Sequence, residues 1–526
     1  MKIFSFKNVL AYLVLLSTVF SAAAQNFQTL SGDALDNRFT LAKELGSGVY
    51  AMGLQELGTD MTATFSHYLS TGSQDWLVGL QTGSVWNDFI ETSSGDILVV
   101  GQTTTSGPDN ECLLMKISAS GTVQFIRRYN LDSEEGFLKI AQSMVPANVS
   151  FPYYLVGTQK ASGIAPKKVF MINLDENGVF NWKKIIGGGT TDWETGHAMI
   201  PILNGGFGLF GNANNGTDNA TMVITDNLGV VSASFSLGST LSILDAEYSY
   251  LNDEGFYICG EHSGTGYYAR INTAGNQSWA YELDGQGACT HLVRDNLSSV
   301  WVLGTKAVGA VPAQPVFSYF YFLGLYPWRT WYLSDNETSI TEAGMTMTPD
   351  GYLLFADGRS GNADGYGGND GFLCRIDTTQ LLSCMTHPLT QTFTTINLNS
   401  PVAFGAVSAS DVIPAVSGTL TSGPVASIAW NDPCLTSSLH VAPGLAGAVH
   451  ISPNPNNGIF TVRLPDYGAR ALRLRVLDLY GRVLSEQIVK TGTDPLVDVG
   501  DCPPGIYYLQ VVDANAVLRV EKFVKY

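Results

Sequence analysis

Hydrophobic and polar positions alternate in short runs from residue 39 to residue 384, and two patterns recur there. In the first, a turn leads into an apolar strand that ends on a small residue: GSGVYAMG, SSGDILVVG, SFPYYLVG, NGGFGLFG, DEGFYICG, LSSVWVLG and PDGYLLFA. The last residues are Gly53, Gly101, Gly157, Gly211, Gly260, Gly304 and Ala356, spaced by 48, 56, 54, 49, 44 and 52 residues. In the second, an apolar strand enters a glycine turn and an aromatic follows four residues later. The pairs are Gly72/Trp76, Gly121/Phe125, Gly178/Trp182, Gly275/Trp279 and Gly324/Trp328. The fourth copy keeps Gly229 but shifts its aromatic to Phe235, and the seventh places Gln380 and Cys384 at these positions. Two-residue alternation makes amphipathic strands, and glycine corners supply the positive φ of tight turns. Helical periodicity is absent.

Each unit of about fifty residues has room for four short strands. Seven such units in a circle make an all-β, seven-bladed β-propeller, which hides most sheet edges, and a fixed aromatic staples each sheet to the next. A β-solenoid is the alternative, disfavoured because its coils are shorter. The units resemble the glycine/aspartate-rich propeller repeats common in secreted bacterial proteins. That resemblance implies a fold and leaves the activity open.

Residues 385–434 break the pattern: they are rich in Thr, Ser, Val and Ala, nearly uncharged, and bracketed by Cys384 and Cys434. We expect these cysteines to form a disulfide that ties the segment to the last blade. Residues 435–450, small and Pro/Gly-bearing, read as a linker. From 451 alternation resumes strongly, as in LRLRVLDL and YYLQVV, with turns at Asn-Gly, Tyr-Gly and Pro-Pro-Gly. Such a series predicts a small Ig-like β-sandwich.

This tail closely resembles the type A C-terminal sorting domain of the type IX secretion system of Bacteroidota. The matching residues are Pro453, Asn454, Pro455, Gly458 and Phe460 in PNPNNGIFTV, and Asp478 and Gly481 in VLDLYGRVL. Pro504, Gly505 and Tyr507 in LVDVGDCPPGIYYLQV and the terminal basic Lys525 complete the set. Ile451, where the family often has Tyr, Cys502 and Tyr526 depart from it. The resemblance implies recognition by the outer-membrane translocon, removal of the tail, and a passenger released or attached to surface lipopolysaccharide.

The start of the chain fits an exported protein. Lys2 and Lys7 precede an apolar run, VLAYLVLLSTVF, too short to span a membrane comfortably, and SAAAQ follows, which places cleavage between Ala24 and Gln25. The expected divisions are thus a signal peptide, 1–24; a propeller, 25–384; a closing segment, 385–434; a linker, 435–450; and a sorting domain, 451–526. The mature chain would carry no transmembrane segment. It would hold 26 basic against 46 acidic residues, net −20, which disfavours nucleic acid as a partner. Of seven cysteines, none forms a CxxC pair, and Cys112, Cys259 and Cys374 sit in apolar runs as buried thiols.

Catalytic motifs are missing from the sequence: there is no HExxH, GxSxG, P-loop, GxGxxG after a strand, or EF-hand loop. The seven histidines lack metal-ligand spacing, and His67 falls at the repeat position occupied elsewhere by Lys116 and Arg270, a structural slot. ADGRSGNADGYGGNDG (356–371) offers Asp357, Asp364 and Asp370 as oxygen ligands for calcium, against the plainer reading of self-capping turns. No other cofactor is expected. Asp88, Asp192, Glu194, Asp245, Glu247 and Glu342 fall near the starts of the units, where side chains line a propeller's face or channel. The reading reached is a secreted or cell-surface propeller that binds glycans or proteins without catalysis, through exposed aromatics and loops. Its rivals are a polysaccharide hydrolase or lyase with channel carboxylates, and a quinone-dependent oxidoreductase. The tryptophan-bearing turns resemble those of propeller dehydrogenases of the latter kind.

Overall fold

The computed structural model describes residues 27–525 apart from short breaks between strands, the largest at 361–369. Between 379 and 449 it describes only 386–389, 392–396, 402–403, 416–419 and 429–431. The described residues form strands and turns without a helix, in two compact units, residues 1–430 and 431–526.

Seven antiparallel sheets make up the first unit. Their innermost strands are Asn37–Leu45, Ser84–Glu91, Glu134–Gln142, Asp192–Pro201, Leu241–Ser249, Gln286–Arg294 and Gly344–Met347. Each innermost strand touches the next, and the seventh touches the first, so the sheets close a ring around a channel. The seven-bladed propeller expected from the repeat is the architecture observed.

The repeated small residue has a geometric cause. On the second strand of each blade it lies opposite the innermost strand, and on the first six blades the innermost strand bulges there, as between Trp86 and Asp88 or Ile243 and Asp245. The bulge drives main-chain carbonyls onto the second strand. A Cβ on Gly101 would lie 2.0 Å from the Val85 oxygen, and one on Gly260 would lie 1.9 Å from that of Ser242.

The second repeat signal staples blade to blade. Gly121 and Gly229 turn with φ of 81° and 71°, and a Cβ on either would strike the indole of the preceding blade, Trp76 at 2.8 Å and Trp182 at 2.5 Å. Trp76 also donates its indole N–H to the Ala119 carbonyl in the next blade's turn, 3.0 Å. Buried clusters spanning adjacent blades, such as Tyr50, Phe65, Trp86, Phe89 and Leu113, complete each interface. The polar slot varies between blades, with His67, Lys116, Asn173 and Arg270 among its occupants. His67 contacts Asp75 at 3.0 Å and the Ser47 carbonyl at 3.2 Å, and Lys116 pairs with Asp96 at 3.2 Å.

The seventh blade takes its fourth strand from the other end of the chain: Phe27–Gly32 pairs with Asp370–Asp377, with Phe27 opposite Arg375. This explains why the seventh repeat lacks the glycine and aromatic of its own turn. Arg375 bridges the seam, bonding Asp350 at 2.8 Å in its own blade and Glu44 at 3.2 Å in the first. Thr346 donates to the Ala42 carbonyl beside it, 2.6 Å.

The Thr/Ser/Val segment runs backwards around the ring as a belt. Thr386–Pro388 adds a fifth strand to blade 6, Phe393–Thr395 to blade 5, Val402–Ala403 to blade 4, Val416–Thr419 to blade 2 and Ala429–Asn431 to blade 7. It covers the outer strands' open hydrogen-bonding edges, so it serves five blades rather than the last one alone. Cys384 and Cys434 lie outside the described residues. Cys112, Cys259 and Cys289 are free thiols, and these three and Cys374 are buried.

The second unit is a sandwich of two sheets. One holds His450–Ser452, Ile459–Arg463 and Leu496–Asp498; the other holds Val483–Lys490, Ala471–Leu477, Gly505–Asp513 and Ala516–Lys525. Phe460, Val462 and Val497 from the first pack on Leu472, Leu474, Leu509, Val511 and Phe523 from the second.

Substituting Gly260→Ala tests the bulge constraint. We expect a loss of at least about 2 kcal/mol in denaturant unfolding. Gly46→Ala, whose Cβ would meet only the flexible Glu91 carboxylate at 3.2 Å, should cost less than about 1 kcal/mol.

Candidate functional site

The residues just past the bulges form a ring in the channel. Leu41, Asp88, Lys139, Ala198, Asp245, His291 and Met345 stand at equivalent positions on the seven innermost strands and line one cavity of about 280 Å³. Lys43, Ile200, Glu247, Val293 and Arg294 continue the wall. Three acids from two sequence repeats, Asp88 from the second and Asp245 and Glu247 from the fifth, thereby converge with three cations and a histidine. Asp192 and Glu194 belong to an innermost strand, but their side chains are not described, and Glu342 lies outside the described residues.

Asp88 and Asp245 do the same structural job. Each accepts the N–H of its own successor, Phe89 or Ala246, at 2.9 Å. Each also accepts an N–H from the next blade's innermost strand, Ile140 at 3.1 Å or Leu292 at 3.0 Å. The two carboxylates therefore clamp neighbouring blades at the axis. Lys43 pairs with Asp88 at 2.5 Å and donates to the Phe89 carbonyl at 2.8 Å.

Their ionisation differs. Burial pushes the Asp88 carboxyl up, but Lys43, Lys139 and the Ile140 N–H outweigh it and hold the group below the usual carboxylate range. Asp245 lacks a paired lysine, and loss of water pushes it up to about 6 against the opposing pull of Lys139. Glu247 rises to about 7, first through desolvation and then through the charge of Asp245, with Arg294 opposing. Desolvation, with Lys139, lowers His291 to about 3 and His197 to about 4.

A second surface lies in the turns of blades 3 and 4. Met144, Val145, Val149, Val179, Leu203 and Leu228 are exposed there, Val149 by 84%. The turns touch: Asn227 donates to the Val145 carbonyl at 3.1 Å, and Ser143 to the Gly205 carbonyl at 2.7 Å. Met144 also lines the channel, so patch and cavity adjoin. Among the described residues the expected exposed aromatics are not found. Neither Phe nor Trp is among the exposed large apolar side chains of the described residues, because Trp76, Phe125, Trp182 and Trp279 are drawn into the blade interfaces.

Of the calcium candidates, Asp357 and Asp370 are buried on the paired strands Tyr352–Ser360 and Asp370–Asp377, and Asp357 accepts the Gly358 N–H at 2.8 Å. Asp364 lies outside the described residues. Among the described residues no three His, Cys, Asp or Glu are grouped as metal ligands.

In the sandwich, the first and last motifs of the tail meet. Asn454 accepts the Val524 N–H at 2.9 Å, and Asn456 accepts the Gly458 N–H at 2.8 Å. Gly458 turns at φ 103° with its α-carbon against Lys525, where a Cβ would lie 2.6 Å from Cε. The Lys525 ammonium donates to the Gly500 carbonyl at 3.1 Å and to that of Cys502. Phe460 and Tyr507 pack on Phe523, and Gly505 opposite Lys525 starts the strand that carries Tyr507. Pro453 follows a cis bond. Pro455, Asp478, Gly481 and Pro504 lie outside the described residues, as do Ala24 and Gln25.

Residues 450–526 match the family described as the secretion system C-terminal sorting domain. No curated protein matches the chain. Solved structures similar to it include a protein of unknown function from Bacteroides caccae, at 11% identity and TM-score 0.30, covering 49% of this chain and 94% of that one. Another is a subtype N10 neuraminidase-like protein of A/little yellow-shouldered bat/Guatemala, at 9% and 0.36, covering 66% and 98%. The NanB sialidase from Streptococcus pneumoniae matches at 10% and 0.36, covering 72% and 74%. At these scores none of them bears on activity. The chain carries a type IX secretion sorting domain, and its destination is the cell surface or the extracellular space.

The channel sets a pH dependence for stability. Glu247 and Asp245 have folded pKa values above their unfolded ones, so their contribution is present at low pH and is lost as pH rises through 6 to 7. His197 and His291 have depressed values, so theirs is present above about pH 6.5 and is lost on acidification. The melting temperature should therefore peak near about pH 6. Glu247→Gln should raise it at about pH 8, by about 2 °C or more, and leave it nearly unchanged at about pH 5. Thermal unfolding across that range checks both limbs.

Proposed function

With its tail a type IX sorting domain, we propose that this chain is an exported, non-catalytic binding or scaffold protein that docks other proteins at the cell surface. A signal peptide ending at Ala24 would deliver it to the periplasm. The aliphatic patch on the turns of blades 3 and 4 carries this reading. Contiguous exposed apolar surface of this kind marks protein interaction sites, and glycan recognition would call on aromatic faces that are occupied between blades. The channel acids support it from the other side, since both oxygens of Asp88 and of Asp245 are held by main-chain N–H groups. One observation favours a polysaccharide hydrolase or lyase instead: Glu247, near pKa 7, shares a cavity with a well-ionised Asp88, as an acid/base pair would.

Two measurements test this. Deleting 451–526 in a type IX-competent host should keep the protein inside the cell, and surface display of the truncated chain would remove the export role of the tail. A photo-crosslinking side chain at position 149 on the exported protein should capture a discrete protein on intact cells, and Leu228→Asp should abolish the adduct. On a polysaccharide panel the protein should release no products; products that disappear in Glu247→Gln would establish the hydrolytic reading.

A further inference from the structure

The aliphatic patch on blades 3 and 4 has a charge as well as an apolar character. It is built from four turns, residues 143–152 and 175–179 of blade 3 and 202–206 and 226–230 of blade 4, all of them described. Beside the exposed aliphatics these turns carry three acids, Asp175, Glu176 and Asp226, and neither Lys, Arg nor His. The turns themselves fix two of the carboxylates. Asp175 accepts the N–H groups of Asn177 and Val179 at 2.9 and 2.8 Å, and Asp226 accepts those of Leu228 and Val230 at 2.9 and 2.8 Å. Two cations of the outer strands border the turns, and both are tied back. Arg127 lies 4.0 Å over the Phe125 ring and donates to the Asn177 carbonyl at 2.6 Å, and Lys184 lies 5.3 Å over the Trp182 ring.

Beside Val149 the surface is concave. A cleft of about 280 Å³ opens between the turns of blades 2 and 3, lined among others by Ser93, Val149, Pro152, Tyr153, Asp175 and Glu176. Val149 and Pro152 make part of its wall aliphatic, and Asp175 and Glu176 make part of it acidic. The Ser93 N–H donates to the Tyr153 hydroxyl at 2.9 Å, and its side chain donates to Glu176 at 3.3 Å, which joins the two blades across the cleft. A lysine or arginine lays an apolar stem along aliphatic surface and presents its charged head to carboxylates. We infer that this surface docks a basic, aliphatic segment of another protein, with one lysine or arginine of that segment seated in the cleft between Val149 and Glu176. The inference rests on the docking reading above and adds the chemistry of the partner.

Charge decides between the occupants open to such a patch. A second copy bound through the same face would meet it across a two-fold axis, with the same residues on both sides. Asp175, Glu176 and Asp226 would then stand against their own images, and like charges so placed oppose association. The whole chain adds to this at longer range, with a net charge of −18. A cationic segment is instead steered toward the patch by the same three acids. Val145, Val149, Val179, Leu203 and Leu228 supply the apolar area that its aliphatic side chains would cover. The aliphatics hold the partner, and the acids select it.

Photo-crosslinking from position 203, within the patch but outside the cleft, tests this on the full exported protein at the surface of intact cells. Mass spectrometry of the adduct reads the partner's sequence at the point of contact. That peptide should carry lysine or arginine among Leu, Ile or Val. Asp175→Asn combined with Glu176→Gln keeps an acceptor in the turn and removes both charges; it should lower the adduct yield about fivefold or more. Glu176→Lys should lower it further. Glu261→Gln, beside the hairpin at the opposite end of blade 5, should leave it unchanged. Melting curves keep misfolded variants out of the comparison, and the sequence of the captured peptide stands without any variant. An acidic or uncharged captured segment, a peptide of this chain itself, or an undiminished adduct in the folded double variant overturns the proposal. With a segment of another protein captured, those results leave the docking reading in place. No adduct from position 203 or from position 149 would sink both.

Discussion

Seven strands crowded around one axis leave almost no room beside them. At the innermost turn of the ring, bulged carbonyls such as those of Val85 and Ser242 press onto the second strand so closely that a methyl group does not fit. Everything outward follows from this. The glycines allow the blades to converge, convergence brings successive sheets face to face, and the faces are then filled by aromatics that each reach the next blade's turn. The same crowding turns the side chains past each bulge into the channel, so the constraint that closes the fold also assembles the site.

Closure and chemistry are coupled at two of those positions. Asp88 and Asp245 sit on blades 2 and 5 and clamp blades 3 and 6 through main-chain N–H groups. They share a geometry, but their acidities are shifted in opposite directions, because Asp88 has Lys43 as an ion-pair partner. A group that appears catalytic by type and location is therefore structural by contact.

What the sequence disclosed depended on how local each constraint was. The ring of small residues and the stapling aromatics were legible because one residue per unit carries each. The tail was legible because its motifs are ordered and short-range, although the contact of the PNPNNG turn with Lys525 joins opposite ends of the domain. The closing strand FQTLSG was not legible, since six ordinary strand residues say nothing about a partner near residue 375; the only trace was a seventh repeat without its glycine and aromatic. The belt was hidden for a similar reason, as strands of two to four residues have no period. Asp88, Asp245 and Glu247 were placed near the channel by repeat position, but Lys139 and His291, at equivalent positions of the third and sixth units, carried no signal of their own.

The borrowed strand also sets an order in time. Phe27–Gly32 is made first and finds Asp370–Asp377 only after the six intervening blades exist. Loop closure over such a separation is the slow step of a β-fold. Until it occurs the molecule is an open arc with an uncovered edge at each end, and the belt, whose last strand pairs with that same N-terminal strand, has nowhere to finish. Ring closure and belt completion are thus a single late event. In a chain of this design the two ends of the ring, and with them the belt, are locked by one and the same strand.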